Sequence, residues 1–331
     1  MLPFPFCREP AVTLSDSILS FAFAVLIAVT IPACAEAATC PPDVEQPTPE
    51  MVRAAAHNAR DRGFLWRISK DGRTSYLYGT MHVGRFDWTI PGPSVAKALR
   101  ATDTLALELD FLDADIRNRV SKGMSTQRVM KLPAPLEKRV REQAEAVCIP
   151  YDALSRLAPE FQIVTLTLMV GRRDGLDASY AIDGVLAGIG HGAKKDVVSL
   201  ETPESQLQLL QMKDERETVT FVRESLDEME TGRERKLLKR LSRVWADADY
   251  PEMEHYSEWC DCMNTENERE LMKRILDDRN PKLADRIDAL HMSGKRVFAA
   301  VGSLHMFGVT GLPMLMSKHG YVVERIELKS R

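Results

Sequence analysis

Apolar positions along this chain follow two rhythms. Short runs bounded by turn residues read as strands: Phe64 to Ile68, Ser75 to Tyr78, Thr104 to Leu109, Asp196 to Glu201, Arg296 to Val301 and Tyr321 to Leu328. The first two are joined by Lys70-Asp71-Gly72-Arg73, and Asp-Gly between apolar runs predicts a hairpin. From about 112 to 195, and again from about 203 to 293, apolar residues recur at helical spacing, as in Val222, Leu226 and Met229. Pro135, Pro159 and Thr202-Pro203 stand where helices begin, and Tyr180 to Ile189 reads as a helix with Asp183 near its start. Two further helices, about Glu266 to Asp277 and Pro281 to Ser293, flank Arg279-Asn280, and short ones are expected at Pro93–Arg100 and Leu312–Lys318. Strands separated by helices predict an α/β fold: a mainly parallel or mixed sheet flanked by helices, with a large central helical insertion.

The N-terminal stretch has a different character. Ile18 to Ile31 is an uncharged apolar run of signal-peptide length, short for a membrane span, and Ala35-Glu36-Ala37 offers a small-x-small cleavage site. Residues 1–37 are therefore read as a signal peptide, 38–62 as an extended lead-in rich in Pro and acids, and 63–331 as one domain. The expected location is the periplasm; the alternative is a membrane anchor through residues 18–31, the membrane contact that the sequence suggests. With that segment removed, Cys40, Cys148, Cys260 and Cys262 remain, an even number in an oxidising compartment. One or two disulfides are expected, with three pairings open. Cys260-Asp261-Cys262 lacks the gap of paired zinc ligands.

Composition alters this picture little. The 331 residues are 44% hydrophobic and 28% charged with a net charge of −4, so no basic stripe points to nucleic acid. The Glu- and Arg-rich faces of the long helices read as solvated surface, and nothing in the pattern sets an oligomeric state.

The chemistry is concentrated at strand ends. Tyr76-Leu77-Tyr78-Gly79-Thr80-Met81-His82 and Ala299-Ala300-Val301-Gly302-Ser303-Leu304-His305 repeat one pattern: an apolar strand, a Gly, a small hydroxyl residue, and a His three residues after the Gly. A strand-ending Gly permits a tight turn that presents the His at the carboxyl end of the strand, the edge where open α/β sheets place ligands. Two further strands end in acids, Glu108 followed by Asp110, and Glu201. Parallel neighbours would converge His82, Glu108, Glu201 and His305 on one edge. Two imidazoles and a carboxylate suit a divalent metal such as Mn, Zn, Co or Fe, so His82, Glu108 and His305 are the candidate ligands. Glu108 and Glu201 are also candidate general bases, and Arg279 could bind a substrate carboxylate or an oxyanion with Asn280 beside it. Asp183 is a candidate to orient one histidine. The loop Phe86-Asp87-Trp88-Thr89-Ile90-Pro91 reads as a pocket wall, and His191, His255, His291 and His319 read as surface residues.

At these residues the chain resembles the TraB/GumN family, which includes the TIKI metalloproteases and carries two G-x-x-H motifs and a glutamate after the second strand. The resemblance runs from about Gly63 to the C-terminus and also covers Leu105-Ala106-Leu107-Glu108-Leu109-Asp110, Leu200-Glu201-Thr202, Arg279-Asn280 and Gly320-Tyr321. It implies a metal-dependent hydrolase acting on a peptide or small acyl substrate. More distantly, erythromycin esterases have a similar arrangement in which His and Glu activate water without a required metal, and a related fold binds haem iron. The same resemblance therefore also implies two non-hydrolytic roles: a periplasmic protein that binds a peptide signal or haem-like ligand, and an accessory factor in exopolysaccharide production. No H-E-x-x-H, G-x-S-x-G, P-loop or G-x-G-x-x-G occurs, which excludes the common zincin, serine hydrolase, NTPase and dinucleotide motifs.

Overall fold

Asp71 and Gly72 both adopt positive φ, 50° and 73°, the backbone of a two-residue type I′ turn whose twist matches the strands it joins. That turn closes a hairpin of β1 (Phe64–Lys70) and β2 (Arg73–Thr80), in which Lys70 pairs with Arg73 and Phe64 with Gly79. The computed structural model describes residues 40–328 except 43, 45, 46 and 126–129. The signal-peptide reading of residues 1–37 lies outside the described residues.

Four further strands complete a mixed sheet: β3 (Thr104–Leu107), β4 (Asp196–Ser199), β5 (Val297–Gly302) and β6 (Val322–Ile326), in the order β4-β3-β5-β2-β1-β6. The first four of that order are mutually parallel, whereas β1 runs antiparallel to both β2 and β6. The central strands are apolar on both faces because helices cover both: Leu77, Leu105, Phe298 and Ala299 are fully buried. Tyr250 fastens the antiparallel edge. Its hydroxyl accepts from Leu65 N–H at 2.7 Å and lies 3.0 Å from the Ile326 carbonyl. Tyr250→Phe leaves the buried Leu65 N–H unpaired and is expected to cost about 1–3 kcal/mol, read as a lower denaturant midpoint at unchanged m-value.

The helical insertion forms as its periodicity implies. Val140, Leu166, Val222 and Leu226 meet in a second core of their own. Helices Glu215–Thr231 and Arg233–Ala246 are separated at Gly232, whose φ of 69° ends the first. The helix expected over 266–277 is two pieces, Glu266–Met272 capped by Thr265 and a π-helical turn at Lys273–Asp277.

Three expectations are corrected. Residues 49–57 are not extended but form the helix Pro49–His57, because Thr48 caps Met51 N–H and Pro49 suits the first helical position. The β3 and β4 strands stop at Leu107 and Ser199, short of their acids, which continue the ladder through Glu201 N–H to Glu108 C=O at 3.1 Å. His291 is not at the surface: it is fully buried, with Ser75 Oγ 2.9 Å from Nδ1 and the Lys70 carbonyl 3.1 Å from Nε2. Of the three pairings open to the cysteines, the disulfides are Cys40–Cys148 and Cys260–Cys262. Among the described residues no helix is long and apolar enough to cross a membrane.

Candidate active site

Because β2, β3, β4 and β5 are parallel neighbours, the residues just past them share one edge of the sheet. His82 follows β2, Glu108 follows β3, Glu201 follows β4, and His305 lies in the short 3-10 turn Ser303–Met306 after β5. The two G-x-x-H glycines are there for space rather than for turning. Gly79 lies inside β2, where a Cβ would stand 3.0 Å from Ser303 Oγ and 3.1 Å from Ser303 Cα, so the two motifs touch through it. Gly302 has an ordinary φ of −50°. A Cβ there would meet Glu108 Oε1 at 3.4 Å, His305 Cδ2 at 3.6 Å and His82 Nε2 at 3.6 Å, so the three side chains surround a methyl-sized space above it.

The hydroxyl residues between Gly and His also have distinct tasks. Thr80 Oγ1 donates to Asp183 Oδ1 at 2.5 Å, and Asp183 Oδ2 accepts from His82 Nδ1 at 2.8 Å. Ser303 Oγ donates to the Thr80 carbonyl at 2.7 Å, locking one motif to the other. Asp183 thus holds the His82 proton on Nδ1 and leaves Nε2 facing the space over Gly302. Its charge raises the His82 pKa to about 9, against the opposing effect of desolvation. The ring is the solvent-facing member of the group, with 61% of its side chain exposed.

His305 is set up differently. Its Nδ1 donates to Asn280 Oδ1 at 2.5 Å, while Asn280 Nδ2 donates to the Thr310 carbonyl at 2.9 Å and so fixes the amide. Its Nε2 accepts from Arg279 Nη1 at 3.0 Å. Burial pushes the His305 pKa down to about 4, which keeps the ring neutral near pH 7.

Arg279 is the hub. Nη2 reaches Glu108 Oε2 and Glu201 Oε2, each at 2.5 Å, Nε donates to Glu201 Oε1 at 3.0 Å, and Nη1 also donates to the Ile275 carbonyl at 3.0 Å. Its five N–H donors are thereby all engaged, so the expected substrate-binding role for Arg279 would require breaking one of these bonds. Burial opposes the guanidinium charge, but the Glu201 and Glu108 partners outweigh it and raise the pKa above its ordinary value. Glu108 shows the same contest: burial alone would raise its pKa, while His305, His82, Arg279 and the Gly302 N–H, 2.7 Å from Oε1, hold it at about 2.

A divalent metal does not fit the donors as they are arranged. Glu108 Oε1 is taken by Gly302 and Oε2 by Arg279, and His305 turns carbon rather than nitrogen to the shared space. The cation between Glu108, Glu201 and His305 is the guanidinium. Among the described residues no group of three or more His, Cys, Asp or Glu is placed to hold a metal ion.

The structure thus brings together His82, Glu108, Glu201, Arg279, Asn280, His305 and Asp183. Gln206 belongs with them unannounced: its Nε2 donates to Glu108 Oε2 at 3.1 Å and Glu201 Oε2 at 3.0 Å. Its signal in the sequence was positional, one helical turn beyond the Thr202 cap. Asp110 turns away from the group to pair with His191 Nε2 at 2.7 Å. The expected wall at 86–91 packs Trp88 on Trp245 and Phe86 on Tyr180, with ring centroids 5.4 and 5.8 Å apart.

The model of the TraB/PrgY/gumN family matches residues 64–325. Among curated proteins the chain is similar to the uncharacterized protein YbaP of Shigella flexneri, 27% identical over 256 residues that span 74% of this chain and 88% of the relative. The uncharacterized protein YbaP of Escherichia coli K12 is 26% identical over the same spans. No solved structure matches.

Proposed function

The chain belongs to the TraB/PrgY/gumN family, and from that premise we propose that it is an exported hydrolase of acyl bonds, peptide bonds first of all. The observation that carries the proposal is the space over Gly302, bordered at once by His82 Nε2 and Glu108 Oε1. An acyl carbon seated there lies beside an imidazole whose other nitrogen is held by Asp183, the geometry of a general base. Neutral His82 takes a proton from the attacking water at Nε2, and the imidazolium that forms is stabilised by Asp183 and by ionised Glu108. That proton then passes to the leaving group. Arg279, Asn280, Glu201 and Gln206 act as positioning residues that keep Glu108 ionised and His305 in place. Export is supported by the two disulfides.

The test is turnover of a peptide and activated-ester series by the purified protein, with and without chelator. Turnover that survives chelation and is abolished by His82→Ala is expected. Turnover appearing only with added Mn, Co, Zn or Fe would mean that Arg279 gives way to a metal; retention of a peptide or haem-like ligand without turnover would make the chain a binding protein. A pH profile adds a second check. The base works in its neutral form and its pKa is raised, so kcat/KM is expected to climb with pH, with its inflection at about 9, and to level off above it. Asp183→Asn removes the charge that raises the pKa and is expected to move the inflection down towards the ordinary histidine value. A profile that stays in place would remove Asp183 and His82 from these roles.

A further inference from the structure

A second chemical centre lies outside the strand-end site, where the helices Glu215–Thr231 and Arg233–Ala246 meet the chain at 259–262. The Cys260–Cys262 disulfide closes a loop with one intervening residue, whereas Cys40–Cys148 spans 108. Stabilisation by restricting the unfolded chain grows with loop length, so the first bond has little to offer as a cross-link. It also holds Asp261, a non-glycine residue, in the left-handed region at φ 51°. The two residues are unequally exposed: Cys260 is 3% exposed, Cys262 is half-buried. Both line a cavity of about 230 Å³ together with Glu234, Arg233, Arg240 and Trp259. In that wall Glu234 Oε2 is a buried oxygen with no hydrogen-bond partner among the described residues. Tyr256 Oη stands 3.6 Å from Cys262 Sγ.

From this arrangement we propose that Cys260–Cys262 is a thiol–disulfide exchange site for small or peptide thiols, with Glu234 as its proton donor and acceptor. A substrate thiolate attacks the accessible Cys262 Sγ; a bond forms between the two, the Cys260–Cys262 bond breaks, and its electron pair goes to Cys260. The buried Cys260 thiolate takes the proton of Glu234. A second substrate thiolate then attacks the substrate sulfur of the mixed disulfide and releases Cys262, whose thiolate the Tyr256 hydroxyl can stabilise. Two substrate thiols are oxidised to a disulfide and the protein disulfide is reduced; an oxidised partner runs the steps backwards. Burial holds the Glu234 carboxyl up at about 7 despite a hydrogen bond from Thr167, which suits it to give and take a proton near neutrality. Other charged groups around it in the cavity are Glu228, Arg233, Lys236, Arg240 and Asp261.

The test equilibrates the full-length protein in buffers of reduced and oxidised glutathione, quenches with acid, alkylates, and reads each cysteine by mass spectrometry. Cys260–Cys262 is expected to exchange while Cys40–Cys148 stays oxidised and the circular dichroism is unchanged. Cys260→Ser should accumulate a glutathione adduct at Cys262, and Cys262→Ser should leave Cys260 unmodified. Glu234→Gln should slow exchange at least about tenfold and flatten its pH dependence near 7. Reduction of both disulfides in step, or only with unfolding, would overturn the proposal. Equal adducts in the two serine variants would overturn the order of attack, and an unchanged rate in Glu234→Gln would overturn the role of the carboxyl.

Discussion

Arg279→Met is expected to destabilise the protein by about 3–5 kcal/mol at pH 7, because it strands Glu108 and Glu201, 9% and 11% exposed in their side chains, as neighbouring buried carboxylates with no cation between them. Denaturant unfolding of the two proteins across pH measures it. In the native protein Glu108 titrates at about 2 instead of 4.5, a depressed value, so its stabilisation of about 3 kcal/mol is complete above pH 4.5 and is lost as pH falls towards 2. In the variant the sign reverses: burial beside a second carboxylate raises the Glu108 pKa, so lowering the pH relieves the strain. The gap between the two proteins should therefore close on acidification. Adding Glu201→Gln to Arg279→Met should restore part of the loss at pH 7, since one charge then remains where two repelled each other. A gap that is small, or constant with pH, would show that the guanidinium is not what balances these acids.

Gly302→Ala should do the opposite, leaving the fold intact and removing function. The backbone at 302 has φ −50° and ψ 139°, open to alanine, and the new methyl would make ordinary contacts of 3.4–3.6 Å. Stability is expected within about 1 kcal/mol of the parent. Turnover should fall by about a hundredfold or more, because the methyl would project into the space between His82 Nε2 and Glu108 Oε1 that the reacting group needs. Gly79→Ala is the control with the reverse pattern: its Cβ would press on Ser303 at 3.0 and 3.1 Å, so stability should suffer there. Full activity in folded Gly302→Ala would move the reaction away from this space.

Local chemistry made part of this legible in the sequence. The Asp71-Gly72 turn, the Thr202-Pro203 cap and the alternation of apolar strands with helices each depend on a few adjacent residues. The two His and two Glu positions were readable because each lies just past a strand, and parallel strands bring their ends together whatever their separation in sequence. What the local pattern lacked was the order in space. It could not show that Arg279 would fill the gap between the acids, that Gln206 would reach both, or that His291 would turn inward to Ser75, since each needs at least one pair of side chains 98 to 216 residues apart. The glycines illustrate the difference best. Their place in the motif was evident, but their purpose, room rather than turning, is a property of two loops pressed together.

The position of β5 has one more consequence, for the order in which the molecule can be made. It is the last strand of the parallel set to leave the ribosome, yet it lies between β3 and β2, with Leu107 pairing to Ala300 on one side and Tyr78 to the same residue on the other. Until residues 297–302 arrive, the hairpin and the β3–β4 pair are separate ribbons without a common neighbour, and Glu108 has no Gly302 amide to meet. Assembly of the site is therefore a late, long-range event that cannot proceed from the growing N-terminal portion alone. A nascent chain therefore keeps its two histidines and its acids on separate ribbons until its last parallel strand has been made.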